Sequence, residues 1–330
     1  MSSLCLQFDE VGPPARVLHL AQHPQPKLGP HDVRVTMRYA PINPADLNFI
    51  EGHYGRIPHP PCIPGHEGAG EVSAIGSAVE SLSVGDLVIP MLGAGCWTQE
   101  MTAAEQFFAR LPTHIDPVQA SMLRINPPTA SLLLSEYESL EEGDWIMQNA
   151  ANSGVGRALI QIAAKRGIKT LNFVRRAELG DELIALGATA VFTDDDEGHE
   201  KARALLGDTP CRLAANAVGA ESAIRLMDLL ATGGTMVTYG AMSRRSLKVP
   251  NKFLIFKNLS LQGLWVTKWF EKAGHSGMAE LLQPLAEMMN EKELLIQVQE
   301  IVPLSDFQRA IELASKDSRS GKIILDLASA

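Results

Sequence analysis

The sequence predicts an α/β protein of two domains: an irregular β-rich N-terminal domain, then a doubly wound parallel sheet of six strands. Three observations carry this. A chain of 330 residues exceeds one ordinary core, and its 45% apolar content is ample for two. Residues 1 to about 117 place many Pro and Gly between short β-rich runs. From about Gly143 strands alternate with helical patterns, the mark of βαβ units and a parallel sheet. Residues 1–117 and 297–330 are therefore expected in the first domain and residues 118–296 in the second.

Taken in order, "DVRVTMRYA", "GAGEVSAIG" and "GDLVIP" read as strands of the first domain. In the second, "DWIMQNA" precedes a helix in which Val155, Leu159, Ile162 and Ala163 form one stripe toward the sheet, leaving Arg157, Lys165 and Arg166 to reach water. Five further strands follow, in "KTLNFV", "TAVFT", "RLAANAV", "GTMVTYG" and "LSLQGLWV", with helices between them. Six is the strand number of a doubly wound nucleotide-binding sheet. A helical stretch around Met278 to Asn290 leads to strand, helix and strand in "IQVQEIVPLSDFQRAIELA…GKIILDL", and this tail is expected to fold back onto the first domain.

A net charge of −9 argues against a nucleic-acid or anionic-membrane binder, which needs a basic face for phosphates. Cys5, Cys62, Cys96 and Cys211 lie far apart with no CxxC pair, so no disulfide framework or zinc knuckle is indicated. The N-terminal "MSSLCLQFDE" has neither a basic n-region nor transit-peptide character, and no apolar stretch of about 18 residues occurs. A cytoplasmic protein is expected.

The first strand-to-helix junction reads "QNAANSGVGRALIQIA". Laid on G-x-G-x-x-G, its glycine positions become Ala151, Ser153 and Gly156, with Gly154 extra, so only the last position meets the pattern. Context supplies the rest: a strand before, an amphipathic helix after, and a helix N-terminus suited to a pyrophosphate. A glycine-containing turn without a ligand is the alternative. The second strand ends at Val174, where NAD enzymes place an acid for the ribose hydroxyls, and here Arg175 and Arg176 follow. Paired guanidiniums suit a 2′-phosphate, so NADPH is expected over NADH. Solvated surface arginines would look the same.

"HYGRIPHPPCIPGHE", residues 53–67, crowds three histidines and a cysteine. Its prolines impose extended backbone, in which His59 and Cys62 would lie roughly 9 Å apart at about 3.1 Å per residue. His53 and His59 read as exposed loop residues. "INPADLNFIEGHYG", "PGHEGAGEV", "VGDLVIP" and the glycine turn, in that order, resemble the medium-chain dehydrogenase/reductase superfamily. The resemblance implies a GroES-like catalytic domain and a Rossmann domain. In its zinc alcohol dehydrogenases the "GHE" histidine is a metal ligand with two cysteines. Asn43 stands at the first cysteine position and none lies between Cys96 and Cys211 for the second. No metal is expected, and His66 is expected to hydrogen-bond within its loop.

Within the zinc-free branch, "EGHYG", "INPPTA", "NAANSGVG", "GGTMVTYGAMS", "LIFKNLSLQGLWVTKW" and "SGKIIL" resemble the NADPH-dependent trans-2-enoyl-thioester reductases of the mitochondrial type. The resemblance implies reduction of the C=C bond of enoyl thioesters, carried by coenzyme A or an acyl carrier protein, in a homodimer. It makes Tyr54 catalytic. It assigns the cofactor to Asn126, Asn152, Ser153, Gly154, Val155, Gly156, Arg175, Arg176, Tyr239, Gly240, Ala241, Met242, Leu264, Trp265, Val266 and Lys322. Asn43 and Trp265 belong to the substrate pocket on the same ground, and Leu264 departs from the family's usual aromatic.

Elementary chemistry agrees with much of this. A tyrosine is a protonated donor at neutral pH, able to polarise a thioester carbonyl or deliver a proton to the α-carbon. Gly52 and Gly55 would let its loop approach a nicotinamide closely. Asn126 suits either a ligand or a plain turn, and Trp265 either an acyl pocket or core and dimer packing. Arg244, Arg245, Lys248 and Lys252 fit coenzyme A phosphates, an acidic carrier helix, or a solvated loop. A quinone or enone reductase of the same fold, and a non-catalytic NADPH-binding regulator, are the rival readings.

Overall fold

The computed structural model describes residues 2–91, 93–316 and 319–329. Contacts divide the chain into two compact units, Met1–Ile125 with Ala273–Ala330, and Asn126–Lys272. Residues 118–125 and 273–296 thus group with the first unit, outside the 1–117 and 297–330 limits drawn from sequence texture.

The first unit is organised by the strand Asp32–Pro41. It pairs antiparallel with Ala69–Ile75, with Glu100–Ala104 and with Lys322–Asp326. Val33, Val35 and Met37 are fully buried, the period-two pattern of a strand with one face on a core. Strand Val298–Pro303 adds in parallel beside Lys322–Asp326, so the tail does return to the first domain. A short helix, Pro44–Ile50, follows the central strand; Pro44 at its first turn needs no amide partner there. The proline run is held by two backbone hydrogen bonds between Cys62 and Phe8, at 3.0 and 3.1 Å. Gly65 lets the chain cross Trp97: it has φ of 98°, and a Cβ there would lie 2.3 Å from the indole Cδ1.

The second unit carries six parallel strands, in the spatial order Ala190–Thr193, Lys169–Val174, Trp145–Gln148, Cys211–Asn216, Thr235–Thr238 and Ser260–Gly263. Counted along the chain this is 3-2-1-4-5-6, with the reversal between Trp145–Gln148 and Cys211–Asn216. Helices cover both faces, so Trp145–Gln148 is buried throughout rather than alternating. Ser260–Gly263 is an edge strand, exposed at Ser260, Gln262 and Gly263. The helical segment Val266–Asn290 is broken at Gly274, whose φ is 65°. No helix among the described residues is long and apolar enough to cross a membrane.

One side chain departs from expectation. Arg157, placed on the water-facing side of its helix, is only 4% exposed. Its guanidinium turns back along the helix and finds partners instead of solvent.

Candidate active site

The site residues expected from sequence divide between the units: Asn43, Tyr54 and Lys322 lie in the first, the remainder in the second. In the first, Asn43 stands at the N-cap of helix Pro44–Ile50, and its backbone N–H donates to Asp46 Oδ2 at 2.7 Å. Its side chain is buried and committed at both ends. The amide nitrogen donates to Glu67 Oε1 at 2.8 Å, and the amide oxygen accepts from Lys322 Nζ. Glu67 Oε2 accepts from the Ile125 N–H at 2.9 Å. Burial pushes the Glu67 carboxyl up to about 7, against the lowering pull of Lys322. Burial likewise pulls Lys322 down to about 8.

His66 corrects an expectation. Its Nδ1 lies 2.5 Å from Asp46 Oδ1, so its partner is on the preceding helix and not in its own loop. The Asp46 oxygen accepts there from Nδ1, and Nε2 is buried without a hydrogen-bond partner among the described residues. The Tyr54 ring packs against this imidazole with centroids 5.0 Å apart. Behind them Arg124, 3% exposed, donates to the His66 carbonyl at 3.1 Å. Burial lowers its pKa from the usual range. A half-buried phenol therefore sits among one imidazole and one buried guanidinium. His53 and His59 are exposed, as their loop suggested.

The donor set does not suit zinc. Asn43 holds the position of a cysteine and its oxygen already accepts from an ammonium, which would repel a dication. Among the described residues no group of three His, Cys, Asp or Glu side chains is placed to hold a metal.

In the second unit the expected cofactor residues gather at the carboxyl ends of the strands. The turn after Trp145–Gln148 is pinned by Ala151 N–H to Phe173 O at 3.2 Å, and Ser153 Oγ caps helix Gly154–Lys165 by accepting from Gly156 N–H at 3.1 Å. A Cβ on Gly156 would sit 2.5 Å from Ala151 O, so only glycine lets helix and turn meet. Asn152 and Ser153 are half-exposed on this turn, and Val155 is buried beneath it. Asn149 ties the switch point together, donating to Asn216 Oδ1 at 2.9 Å and accepting from Ala217 N–H at 2.7 Å. Arg175 and Arg176 are exposed directly after strand Lys169–Val174.

Tyr239, Gly240, Ala241 and Met242 follow the fifth strand. Tyr239 N–H donates to Asn216 O at 3.0 Å and Met242 N–H to Ala217 O at 2.9 Å, which folds the segment over the switch point. The Tyr239 hydroxyl is buried, and burial raises its pKa. Leu264 and Val266 are buried just past the edge strand, with Trp265 half-buried between them. Asn126, 6% exposed, opens helix Asn126–Leu133, and its side-chain nitrogen has no partner among the described residues. A helix N-terminus at the end of the first strand, a glycine-dependent close approach, a buried Asn126 amide nitrogen without a partner among the described residues and a guanidinium pair after the second strand together fit a phosphorylated dinucleotide.

Sequence reasoning missed Asp46, Arg124 and the role of Glu67. Asp46 sits three residues after Asn43, a helix-start spacing that gave a signal; Arg124 left none.

A β-rich unit with a buried Asn43–Glu67–Lys322 chain and a doubly wound six-stranded parallel sheet are the two parts of a medium-chain dehydrogenase/reductase. Family comparison agrees. The alcohol dehydrogenase GroES-like domain matches residues 29–113, and the zinc-binding dehydrogenase domain matches residues 154–285. The human mitochondrial enoyl-[acyl-carrier-protein] reductase is 39% identical over 328 residues, 98% of this chain and 88% of that protein. The chain belongs to this enoyl reductase family of the medium-chain dehydrogenases/reductases.

Among solved structures, the mitochondrial 2-enoyl thioester reductase Etr1p/Etr2p heterodimer of Candida tropicalis aligns with a TM-score of 0.90 at 26% identity, over 99% of this chain and 100% of that one. The Etr1p/NADP/crotonyl-CoA complex gives 0.90 at 27%, with the same coverage. The Escherichia coli quinone oxidoreductase complexed with NADPH gives 0.86 at 24%, over 98% and 99%, a likeness of fold alone. The expectation of a cytoplasmic protein is corrected here, because the curated relatives are mitochondrial enzymes.

Proposed function

We infer that this protein is an NADPH-dependent reductase of the C=C bond of trans-2-enoyl thioesters. The observation that carries it is Tyr54, a phenol half-buried against His66, in a chain 39% identical over 98% of its length to an enoyl reductase. NADPH, when bound, would supply the hydride and its electron pair that the β-carbon of the substrate needs. Tyr54 supports the carbonyl oxygen as charge gathers there and gives its proton to the α-carbon, and the phenol is restored from solvent. Arg124 lowers the cost of charge near that phenol. Asn126, the turn Asn152–Gly156, Tyr239 to Met242 and Leu264 to Val266 would hold the cofactor. Arg175 and Arg176 take the 2′-phosphate.

In this reading Lys322 acts from its buried place, holding Asn43 and Glu67 and thereby the Ile125–Asn126 segment. The exposed Arg244, Arg245 and Lys248 suit the phosphates of coenzyme A or the acid face of an acyl carrier protein. A homodimer is supported by the open edge of Ser260–Gly263 and by Ile255 and Phe256, 67% and 78% exposed nearby in sequence. The deciding assay follows NADPH oxidation with trans-2-enoyl-CoA, a quinone and a simple enone. Turnover of the enoyl thioester is expected to exceed the others, and turnover confined to the quinone would refute the reading.

A further inference from the structure

We propose that Arg157 determines the preference for NADPH by joining the two halves of the cofactor site and by screening an acid at the 2′-phosphate end. This rests on the NADPH reading above. Arg157 lies in the first turn of helix Gly154–Lys165, where an arginine would ordinarily extend into water, yet it is 4% exposed. Its Nε donates to the Asn152 carbonyl at 3.1 Å, in the turn that faces the pyrophosphate. Its Nη2 lies 2.8 Å from Glu182 Oε1. Glu182 belongs to helix Gly180–Ala185, which starts four residues after Arg176. One guanidinium thus spans from the phosphate turn to the element that follows the arginine pair.

The charges explain why such a link matters. Glu178, Asp181 and Glu182 follow Arg175 and Arg176 within six residues, and each carboxylate opposes a 2′-phosphate. NADH has no phosphate at that position for them to repel, and its free 2′-hydroxyl can donate to a carboxylate. Pairing Glu182 with a buried guanidinium removes much of its opposition, and the planar fork reaches the Asn152 carbonyl at the same time. Arg157 is a positioning residue, acting on the cofactor through Asn152 and Glu182.

The test is calorimetric titration of the folded protein with NADPH, NADH, 2′,5′-ADP and 5′-AMP. In Arg157→Met the NADPH-over-NADH preference should fall about tenfold, and 2′,5′-ADP should weaken by a similar factor while 5′-AMP changes little. Adding Glu182→Gln to Arg157→Met should restore several-fold of the lost 2′,5′-ADP affinity. Equal losses for both cofactors, with no restoration by Glu182→Gln, would reduce Arg157 to a packing residue of the turn and overturn the proposal. Glu182→Gln alone keeps the question open to refutation should Arg157→Met fail to fold: it should raise the NADPH preference, and a fall would contradict the screening argument. Wild-type protein that does not bind 2′,5′-ADP would instead defeat the NADPH reading itself.

Discussion

Gly156→Ala probes the cofactor turn with a single methyl group. Built on the backbone, the added Cβ would lie 2.5 Å from Ala151 O, 2.7 Å from Ala151 C and 2.7 Å from Ala151 Cα. All three are backbone atoms, so no side chain can swing away. The turn is itself held by Ala151 N–H to Phe173 O and by the Ser153 cap, and something must move by about half an ångström or more. Overpacking of this kind costs about 1–3 kcal/mol. The Tm should fall by several degrees, and NADPH should bind about tenfold or more weakly as the phosphate-facing amides shift. Gly180→Ala is the control: no atom lies within 4 Å of its added Cβ, and its Tm should hold or rise slightly. Wild-type Tm and NADPH affinity in Gly156→Ala would refute the close-approach argument.

The buried carboxyl offers a pH test. Burial raises Glu67 from 4.5 to about 7, so the native state holds a proton the unfolded chain has lost between those values. Its stability contribution is then full below about pH 4.5 and declines as pH rises through 7, by on the order of a few kcal/mol. The Tm of wild type relative to Glu67→Gln should therefore fall from pH 5 to pH 8, and a difference independent of pH would show that Glu67 is charged throughout. Phe256→Asp places a charge on the apolar surface next to the edge strand. Sedimentation should show a wild-type dimer and a largely monomeric variant; a monomeric wild type would remove the homodimer.

Much of the architecture was legible because it is written in periodicity. The six strands of the second unit alternate in sequence with helical patterns, and "GKIILDL" pairs with the central strand as its β pattern suggests. Tyr54 was read from a family motif, and Arg175 from its place at the end of the second strand of the parallel sheet. What stayed hidden depends on partners distant in the chain. Nothing in "NPAD" says that Asp46 reaches His66 twenty residues on, or that Asn43 bridges Glu67 to Lys322 across 279 residues. Arg157 misled for a physical reason: helical periodicity describes where a Cβ points, while a long arginine can fold back to buried acceptors.

The central claim is that Tyr54 delivers chemistry to an enoyl thioester reduced by NADPH. Steady-state kinetics of wild type and Tyr54→Phe with trans-2-enoyl-CoA test it most directly. Loss of the phenolic proton should lower kcat by about 10²–10⁴ with little change in the KM for NADPH. Unchanged kcat in Tyr54→Phe, with the enoyl thioester turned over at the wild-type rate, would contradict the account.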